Sequence, residues 1–388
     1  MMEEKKMVPN RRFREFKNKP HWKQSSLKEV VDVYDGTYQT PRYTDSGIMF
    51  LSVENIHSLR SNKYISHEDF KRDFKVYPEE GDVLMTRIGD IGTANVVETN
   101  EEKAYYVTLA LLKKKGMDPY FLKENIHSPS VKRELRHRTL HIAFPKKINM
   151  DEIGKILINY PCNLEQQKIG EFFKVLDQRI ANQERKITKV KALKSAYLNE
   201  MLPQKGENVP KRRFNGYTEK WNYCLLKEVI NSEFKGKAKA EMQGGNSPYL
   251  DTNYLNGGEI SYVNLPNDVE KDDVLILWDG SQAGMVYHGF EGALGSTLKA
   301  YKPKYSGEFL YQFLKKNQKV IFEQYRTPNI PHVINTFVDE FWICMPSIEE
   351  QQKIGQFFKN LDDQITTEEK KLEKLKKMKE AYLEEMFV

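Results

Sequence analysis

Two strings of donors and cations beside turn residues are the parts of this 388-residue sequence best suited to chemistry. The first comprises Thr40-Pro-Arg42-Tyr43, then Thr86 and Arg87 before the turn Gly89-Asp-Ile-Gly92, then the dense run Lys132, Arg133, Arg136, Arg138, His141, Lys146 and Lys147. The second comprises Lys235, Lys237 and Lys239, then Trp278-Asp-Gly-Ser281-Gln282, then Arg326-Thr327-Pro-Asn329 with His332. Guanidinium, ammonium, amide and hydroxyl groups on turns are the materials of contact with phosphates and base edges. Arg87 is the foremost single candidate, because it stands where a strand ends at a repeated turn. Trp278 aligns with it, and packing is its alternative role.

Groups that would break or make bonds are missing from the same inventory. The sequence holds no Gly-x-x-x-x-Gly-Lys-Ser/Thr phosphate loop, and its Gly turns are too short for a dinucleotide fingerprint. It has no Asn/Asp-Pro-Pro-aromatic tetrapeptide of an amino-methyltransferase. Acid-x-Lys triplets such as Glu184-Arg-Lys186 fall in charged helical sequence and are solvated faces. His137 and His141 have a metal-ligand spacing but stand beside Arg136 and Arg138 rather than carboxylates. Cys162, Cys224 and Cys344 are far apart and make no Cys-x-x-Cys pair. The expectation is a chain without catalytic residues, metal or cofactor, its cysteines buried thiols of a reducing compartment.

The elements that carry these strings occur twice. Pro161–Leu202 aligns without gaps on Pro346–Phe387, with 23 of 42 residues identical. Both copies contain Glu-Gln-Gln-Lys-Ile-Gly, from Glu165 and from Glu350, and finish with Ala-Tyr-Leu-x-Glu-Met, up to Met201 and Met386, one residue before the end of each. Weaker echoes precede them. Arg11-Arg12-Phe13, Trp22 and Leu27-Lys-Glu-Val30 match Arg212-Arg213-Phe214, Trp221 and Leu226-Lys-Glu-Val229. Asp82-Val-Leu84 matches Asp273-Val-Leu275, and Arg138-Thr139 near His141 corresponds to Arg326-Thr327 near His332. The apolar runs Asp82–Thr86 and Asp273–Leu277, each entering a Gly turn and then Asn95–Val97 or Met285–Tyr287, predict strand–turn–strand units. Tyr311–Tyr325 has helical spacing. The fold class is therefore mixed α/β (α+β): a globular part over 1–160, a helical segment over 161–205, a second globular part over 206–345 and a second helical segment over 346–388. Pro203–Pro210 reads as a polar linker.

Each helical segment shows a seam at alternating three and four spacing. The first seam is Phe173, Leu176, Ile180, Gln183, Ile187, Val190, Lys194, Tyr197 and Met201; the second is Phe358, Leu361, Ile365, Glu368, Leu372, Leu375, Lys379, Tyr382 and Met386. Antiparallel pairing is expected to set Leu176 on Met386, Ile180 on Tyr382, Ile187 on Leu375, Val190 on Leu372, Tyr197 on Ile365 and Met201 on Leu361. The same register sets Gln183 against Lys379 and Lys194 against Glu368. A helix of about 33 residues is roughly 50 Å long, a rigid spacer between two pseudo-two-fold halves. Ser347 and Glu350 form a candidate capping box.

Composition bounds these readings loosely. A length of 388 residues with 39% hydrophobic content suits two or three domains. The net charge of +6 is spread along the chain, so binding to a polyanion would need local patches. No stretch approaches the roughly 18 apolar residues of a membrane span, and the opening Met1–Pro9 lacks the apolar run of a signal peptide. A cytoplasmic location is expected.

The repeated Glu-Gln-Gln-Lys-Ile segments after Pro161 and Pro346, the Arg-Phe…Trp…Leu-x-Glu-Val stretches at 12–30 and 213–229, and the Gly-Asp-Val-Leu and Asp-Asp-Val-Leu strands at 81 and 272 resemble the specificity subunit of type I restriction–modification enzymes. The resemblance implies two target-recognition domains, each reading one half of a bipartite double-stranded DNA site, with the paired helices setting the gap. It also implies docking of two methyltransferase subunits and of restriction–translocase subunits. S-adenosylmethionine, ATP and magnesium would then belong to those partners. A stand-alone bipartite DNA-binding regulator is the alternative, and a coiled-coil scaffold binding only proteins is a third reading.

Overall fold

The computed structural model describes residues 7–388. The opening Met1–Lys6, part of the run lacking a signal-peptide core, lies outside the described residues. The chain divides into two compact units, Met1–Glu184 with Lys371–Val388, and Arg185–Lys370. Both unit boundaries fall inside 39-residue helices, Asn163–Met201 and Ile348–Met386. No described helix is long and apolar enough to cross a membrane.

The first unit holds a four-stranded antiparallel sheet ordered Val31–Asp35, Leu109–Lys114, Val83–Thr86, Ala94–Val96. A three-stranded sheet packs beside it, ordered Tyr64–Ile65, Ile48–Leu51, Lys103–Tyr105, its last pair parallel. Lys23–Ser26 pairs with Leu157–Tyr160. The second unit repeats the plan: Ile230–Lys235, Leu298–Pro303, Val274–Leu277 and Val286–His288 in one sheet, Tyr262–Val263, Gln243–Leu250 and Ala293–Leu294 in another, and Asn222–Leu225 against Trp342–Met345.

The central strands read as unbroken apolar runs because both faces are covered. Val83 and Met85 enter the core that holds Phe121, Phe173 and Leu176, whereas Leu84 points into a second core under the three-stranded sheet. Val274 and Ile276 against Leu275 and Leu277 divide in the same way. The helix expected over Tyr311–Tyr325 is two helices, Gly307–Lys316 and Gln318–Gln324, broken at Asn317, whose amide donates to the Phe313 carbonyl at 2.8 Å.

The repeated Glu-Gln-Gln-Lys-Ile-Gly sequence is a joint between long helix and globular part. Glu165 accepts both Arg12 guanidinium contacts, at 2.7 and 2.6 Å, and Glu350 accepts those of Arg213, both at 2.7 Å. The Gln166 and Gln351 amides each donate at 2.9 Å to the proline carbonyl before their helix. Gly170 lets the Pro119–His127 helix sit directly on the long helix: a Cβ there would fall 2.2 Å from the carboxylate of Asp118, which caps that helix through Phe121 N–H at 2.8 Å. The capping box expected at Ser347 is therefore only half made. The Ser347 hydroxyl accepts from Glu350 N–H at 3.4 Å, but the Glu350 carboxylate is spent on Arg213.

Within each unit the long helices run antiparallel, in a register that differs from the expected one. In the first unit Lys379 reaches Asp177 at 2.7 Å, and the Tyr382 ring meets Phe172 at 4.9 Å while packing on the same core as Ile180. In the second unit Lys194 reaches Asp362 at 2.6 Å rather than Glu368, Glu368 accepts from Lys186 at 2.9 Å, and Tyr197 meets Phe357 at 5.1 Å rather than Ile365. The offset from the expected register is not uniform: Lys376 reaches Glu184 and Lys191 reaches Glu369, both at 2.7 Å and two residues away from it, whereas the lysine–aspartate pairs lie six and the ring pairs eight residues away. Periodicity marks which side chains face the seam, and the charged and aromatic partners along it adjust how they meet. Lys379–Asp177 and Lys194–Asp362 are the same pair in the two copies.

Two smaller expectations also change. Cys162 is exposed, whereas Cys344 is buried and burial pushes its thiol up to about 12. The linker expected at Pro203–Pro210 is pinned at its start, because the Lys316 ammonium donates to the Leu202 and Pro203 carbonyls at 2.8 and 2.9 Å. Burial brings that ammonium down to about 8.

Candidate nucleic-acid interface

Each unit ends at a tip where the Gly turn after the central strand meets a closed loop. In the first unit the loop closes through Leu140 N–H to the Lys147 carbonyl at 2.8 Å, and Gly89 N–H donates to the Lys146 carbonyl at 2.8 Å. In the second, Arg326 bridges to Val333, Thr327 N–H donates to the His332 carbonyl at 3.0 Å, and Gly280 N–H donates to the Pro331 carbonyl at 2.9 Å. The correspondence of Arg138-Thr139 with Arg326-Thr327 thus marks the start of equivalent loops.

Arg87 does not lie on the surface as a phosphate contact would. Its residue is 4% exposed, and its guanidinium donates to both Asp35 carboxylate oxygens at 2.8 and 3.0 Å and to the Val107 and Ile148 carbonyls at 3.1 and 3.2 Å. The Tyr38 hydroxyl also donates to Asp35, and that bond holds its pKa above the usual phenol range. Thr86 is buried as well, bonded to the Thr93 backbone. Trp278 occupies the Arg87 position and is likewise buried, with the Lys299 ammonium 4.2 Å from its ring centre. Sequence marked the end of the strand correctly but not which way the side chain turns. Arg87→Ala would strand a half-buried carboxylate and two carbonyls. It is expected to destabilise the first unit by about 2–4 kcal/mol, read as a lowered melting transition.

Surrounding Arg87, the structure gathers cations. Gly89, Asp90, Gly92, Lys132, Arg136, His141 and Lys146 line one cleft of 440 Å³. His141 is tied to the Arg136 carbonyl at 2.8 Å, which fixes the loop to the end of its helix. Arg138 faces away, paired with Glu134 and Glu152, both at 3.0 Å. Arg42 is exposed, and Tyr43 packs edge-on to Phe50 at 5.8 Å; neither lines the cleft. In the second unit Lys235 pairs with Asp279 at 2.7 Å, Arg326 donates to the Ser281 carbonyl at 3.2 Å, and Thr327 and His332 are bonded to each other. Lys237, Gln282 and Asn329 are exposed. Among the described residues no cluster of His, Cys, Asp and Glu is placed to hold a metal ion.

A different surface lies on the long helices. In the first unit Phe13, Phe172, Val175, Met378 and Tyr382 line a largely apolar groove of 380 Å³ that Lys168, Glu171 and Arg179 also line. Phe13 meets Phe172 at 6.0 Å, and Arg11 lies 5.1 Å from the Tyr382 ring centre. The second unit repeats the ring contacts with Phe214 on Phe357 at 5.9 Å and Arg212 at 5.3 Å from Tyr197. Sequence assigned these tyrosines to the seam alone; the repeat of Phe13 as Phe214 was the signal that they also meet the globular parts.

Comparison with known proteins agrees with this architecture. The chain is 32% identical over 180 residues to the type I restriction enzyme MjaVIII specificity subunit of Methanocaldococcus jannaschii, a match spanning 44% of this chain and 42% of that relative. Its fold resembles the crystal structure of a type I restriction–modification S subunit from M. genitalium, with TM-score 0.71, 17% identity and coverage of 98% of this chain and 99% of that one. A second solved structure, described as bearing on complex assembly and conformational transition of the type I system, matches with TM-score 0.51, 16% identity and coverage of 94% and 97%. The model of the type I restriction modification DNA specificity domain matches twice, over residues 20–192 and 218–377, and the chain therefore belongs to that family.

Proposed function

We propose that this chain is the DNA-recognition subunit of a cytoplasmic type I restriction–modification complex and is itself non-catalytic. Residues 1–160 and 206–345 each read one half of a bipartite duplex site, and the helical segments 161–205 and 346–388 fix the gap. The observation that carries this reading is one scaffold built twice with different tips. The arginine–glutamate joint, the order of the sheets and the lysine–aspartate pair between the helices recur, while Arg87 becomes Trp278 and the cationic cleft at Lys132, Arg136 and Lys146 has no sequence counterpart in the second half. A scaffold that keeps its frame and changes its tips suits two different half-sites.

The duplicated aromatic contacts on the long helices support docking of two copies of one partner, a methyltransferase that would bring S-adenosylmethionine. A restriction–translocase subunit would bring ATP and magnesium. The test is to express the chain with its methyltransferase and map methylated adenines across a genome. A split motif with a fixed gap is expected, and the purified chain alone should neither methylate nor cut DNA. Methylation at an undivided site, or none that depends on this chain, would overturn the reading. A stand-alone regulator would instead bind its bipartite site without any methyltransferase co-purifying.

A further inference from the structure

The loop at the tip of the first unit carries side chains that its own fold does not use. Ile142 and Phe144 are 102% and 104% exposed, more open than any other large apolar side chain among the described residues. Their loop is not loose at its base. Leu140 and Ile88 both bridge to Lys147, Ile148 N–H donates to the Arg87 carbonyl at 3.0 Å, and the buried Arg87 guanidinium holds the Ile148 carbonyl at 3.2 Å. The corresponding loop of the second unit carries Ile330, 79% exposed, on a base held by Thr327, His332 and Gly280. A single exposed apolar side chain is ordinary. Two on one anchored loop, with a third on the matching loop of the other unit, form a repeated feature that no internal packing explains.

The neighbourhood says what would cover them. Lys132, Arg136, His141 and Lys146 line the adjoining cleft against a single carboxylate, Asp90, which accepts from the Thr93 hydroxyl at 2.6 Å, and Lys147 flanks the loop. A partner must therefore be polyanionic at the cleft and offer apolar surface at the loop tip. A base-pair step of duplex DNA does both, since phosphates lie a few ångströms from stacked bases, and Phe, Ile and Pro are side chains that enter such steps as wedges. We propose that the Ile142–Pro145 tip is an apolar wedge that enters a base-pair step within or beside the first half-site, and that Ile330-Pro331 does the same at the second. This inference rests on the DNA-recognition reading above. It adds a contribution to specificity that needs no hydrogen bond to a base edge, because steps differ in the cost of being opened.

The experiment uses the full chain with its methyltransferase and a duplex carrying the mapped site. 2-Aminopurine is substituted one position at a time through the first half-site and its flanks, leaving out the adenine that is methylated and so flipped by the partner. Wild type and Phe144→Trp are expected to raise emission at one step on binding. Ile142→Ser with Phe144→Ala should abolish that rise and weaken specific binding about ten- to hundredfold. Its melting temperature should not move, since neither side chain is packed. The slope of affinity against salt should also stay unchanged, because no charge is removed, whereas Lys146→Ala should lower it by about one. Unchanged affinity in the double variant, or no emission rise at any step with wild type, would overturn the wedge while leaving DNA recognition standing. Failure of the wild-type complex to bind the mapped duplex at all would overturn both.

Discussion

Glu165→Ala is expected to cost the first unit about 3–5 kcal/mol, the usual penalty for removing one partner of a buried ion pair. Glu165 is fully buried, and Arg12, almost fully buried itself, spends two donors on it while giving others to the Lys19 and Pro20 carbonyls at 3.1 and 3.3 Å. Without the carboxylate the guanidinium must either stay unpaired or move out, and moving out releases the segment that leads to Trp22, which packs on Phe121 at 5.8 Å. Arg12→Met with Glu165→Leu should recover most of the loss, since two apolar groups of similar volume leave no stranded charge. Hydrogen exchange separates the units: the peptide over 22–31 should lose protection in Glu165→Ala, and the peptide over 221–230, held by Arg213 and Glu350, should not. Equal loss in both would mean that the pair does not act locally. The recurrence of the motif in both halves would then need another cause.

That motif shows what was legible in the sequence and what was not. A 23-of-42 identity between the copies marks a shared frame, and the frame is there: paired strands, joint and long helix recur in both units. The strand–turn–strand units were legible because Val83–Met85 and Val274–Ile276 are apolar at every position, which only a sheet covered on both faces requires. The direction of the Arg87 side chain was not legible because a cation at a strand end has two outlets, solvent or a buried carboxylate, and the carboxylate is Asp35, far away in sequence. The helix register was legible only in part for a related reason. Periodicity marks which side chains face the seam, but how they meet along it also answers to long-range partners such as Glu124. Burial works against its charge, yet the His127 ring at 3.6 Å and the Lys123 and Lys379 ammoniums hold its carboxyl below the usual range. The exposed tip of Ile142 and Phe144 went unread because apolar residues between cations look like core until a structure shows them uncovered.

A fragment of residues 1–205 is expected to form a homodimer that binds an inverted repeat of the first half-site. The contacts between the long helices support this. Lys194 is the repeat counterpart of Lys379, so in a dimer Lys194 of a second copy stands where Lys379 meets Asp177. Tyr197 replaces Tyr382 against Phe172, and Leu198, Met201 and Leu202 replace Leu383, Met386 and Phe387 in the core around Trp22 and Phe121. The one clear loss is the Phe387 ring, 5.5 Å from Phe121 and 5.8 Å from Phe173, which leucine fills incompletely. Two-fold symmetry counts every ion pair twice, so Lys194→Glu should set two like-charge contacts in the dimer. Both partners are only partly buried, which discounts the penalty to about 2–4 kcal/mol, roughly 30- to 1000-fold in the dimer Kd. Adding Asp177→Lys should restore association. Sedimentation would report the change of mass, and binding-site selection with the unaltered fragment should return a palindrome, because a two-fold dimer presents the same tip to both half-sites. A folded monomer, or failure of the charge swap to restore the dimer, would count against the pairing of Asp177 with the second helix as the contact that holds the scaffold together.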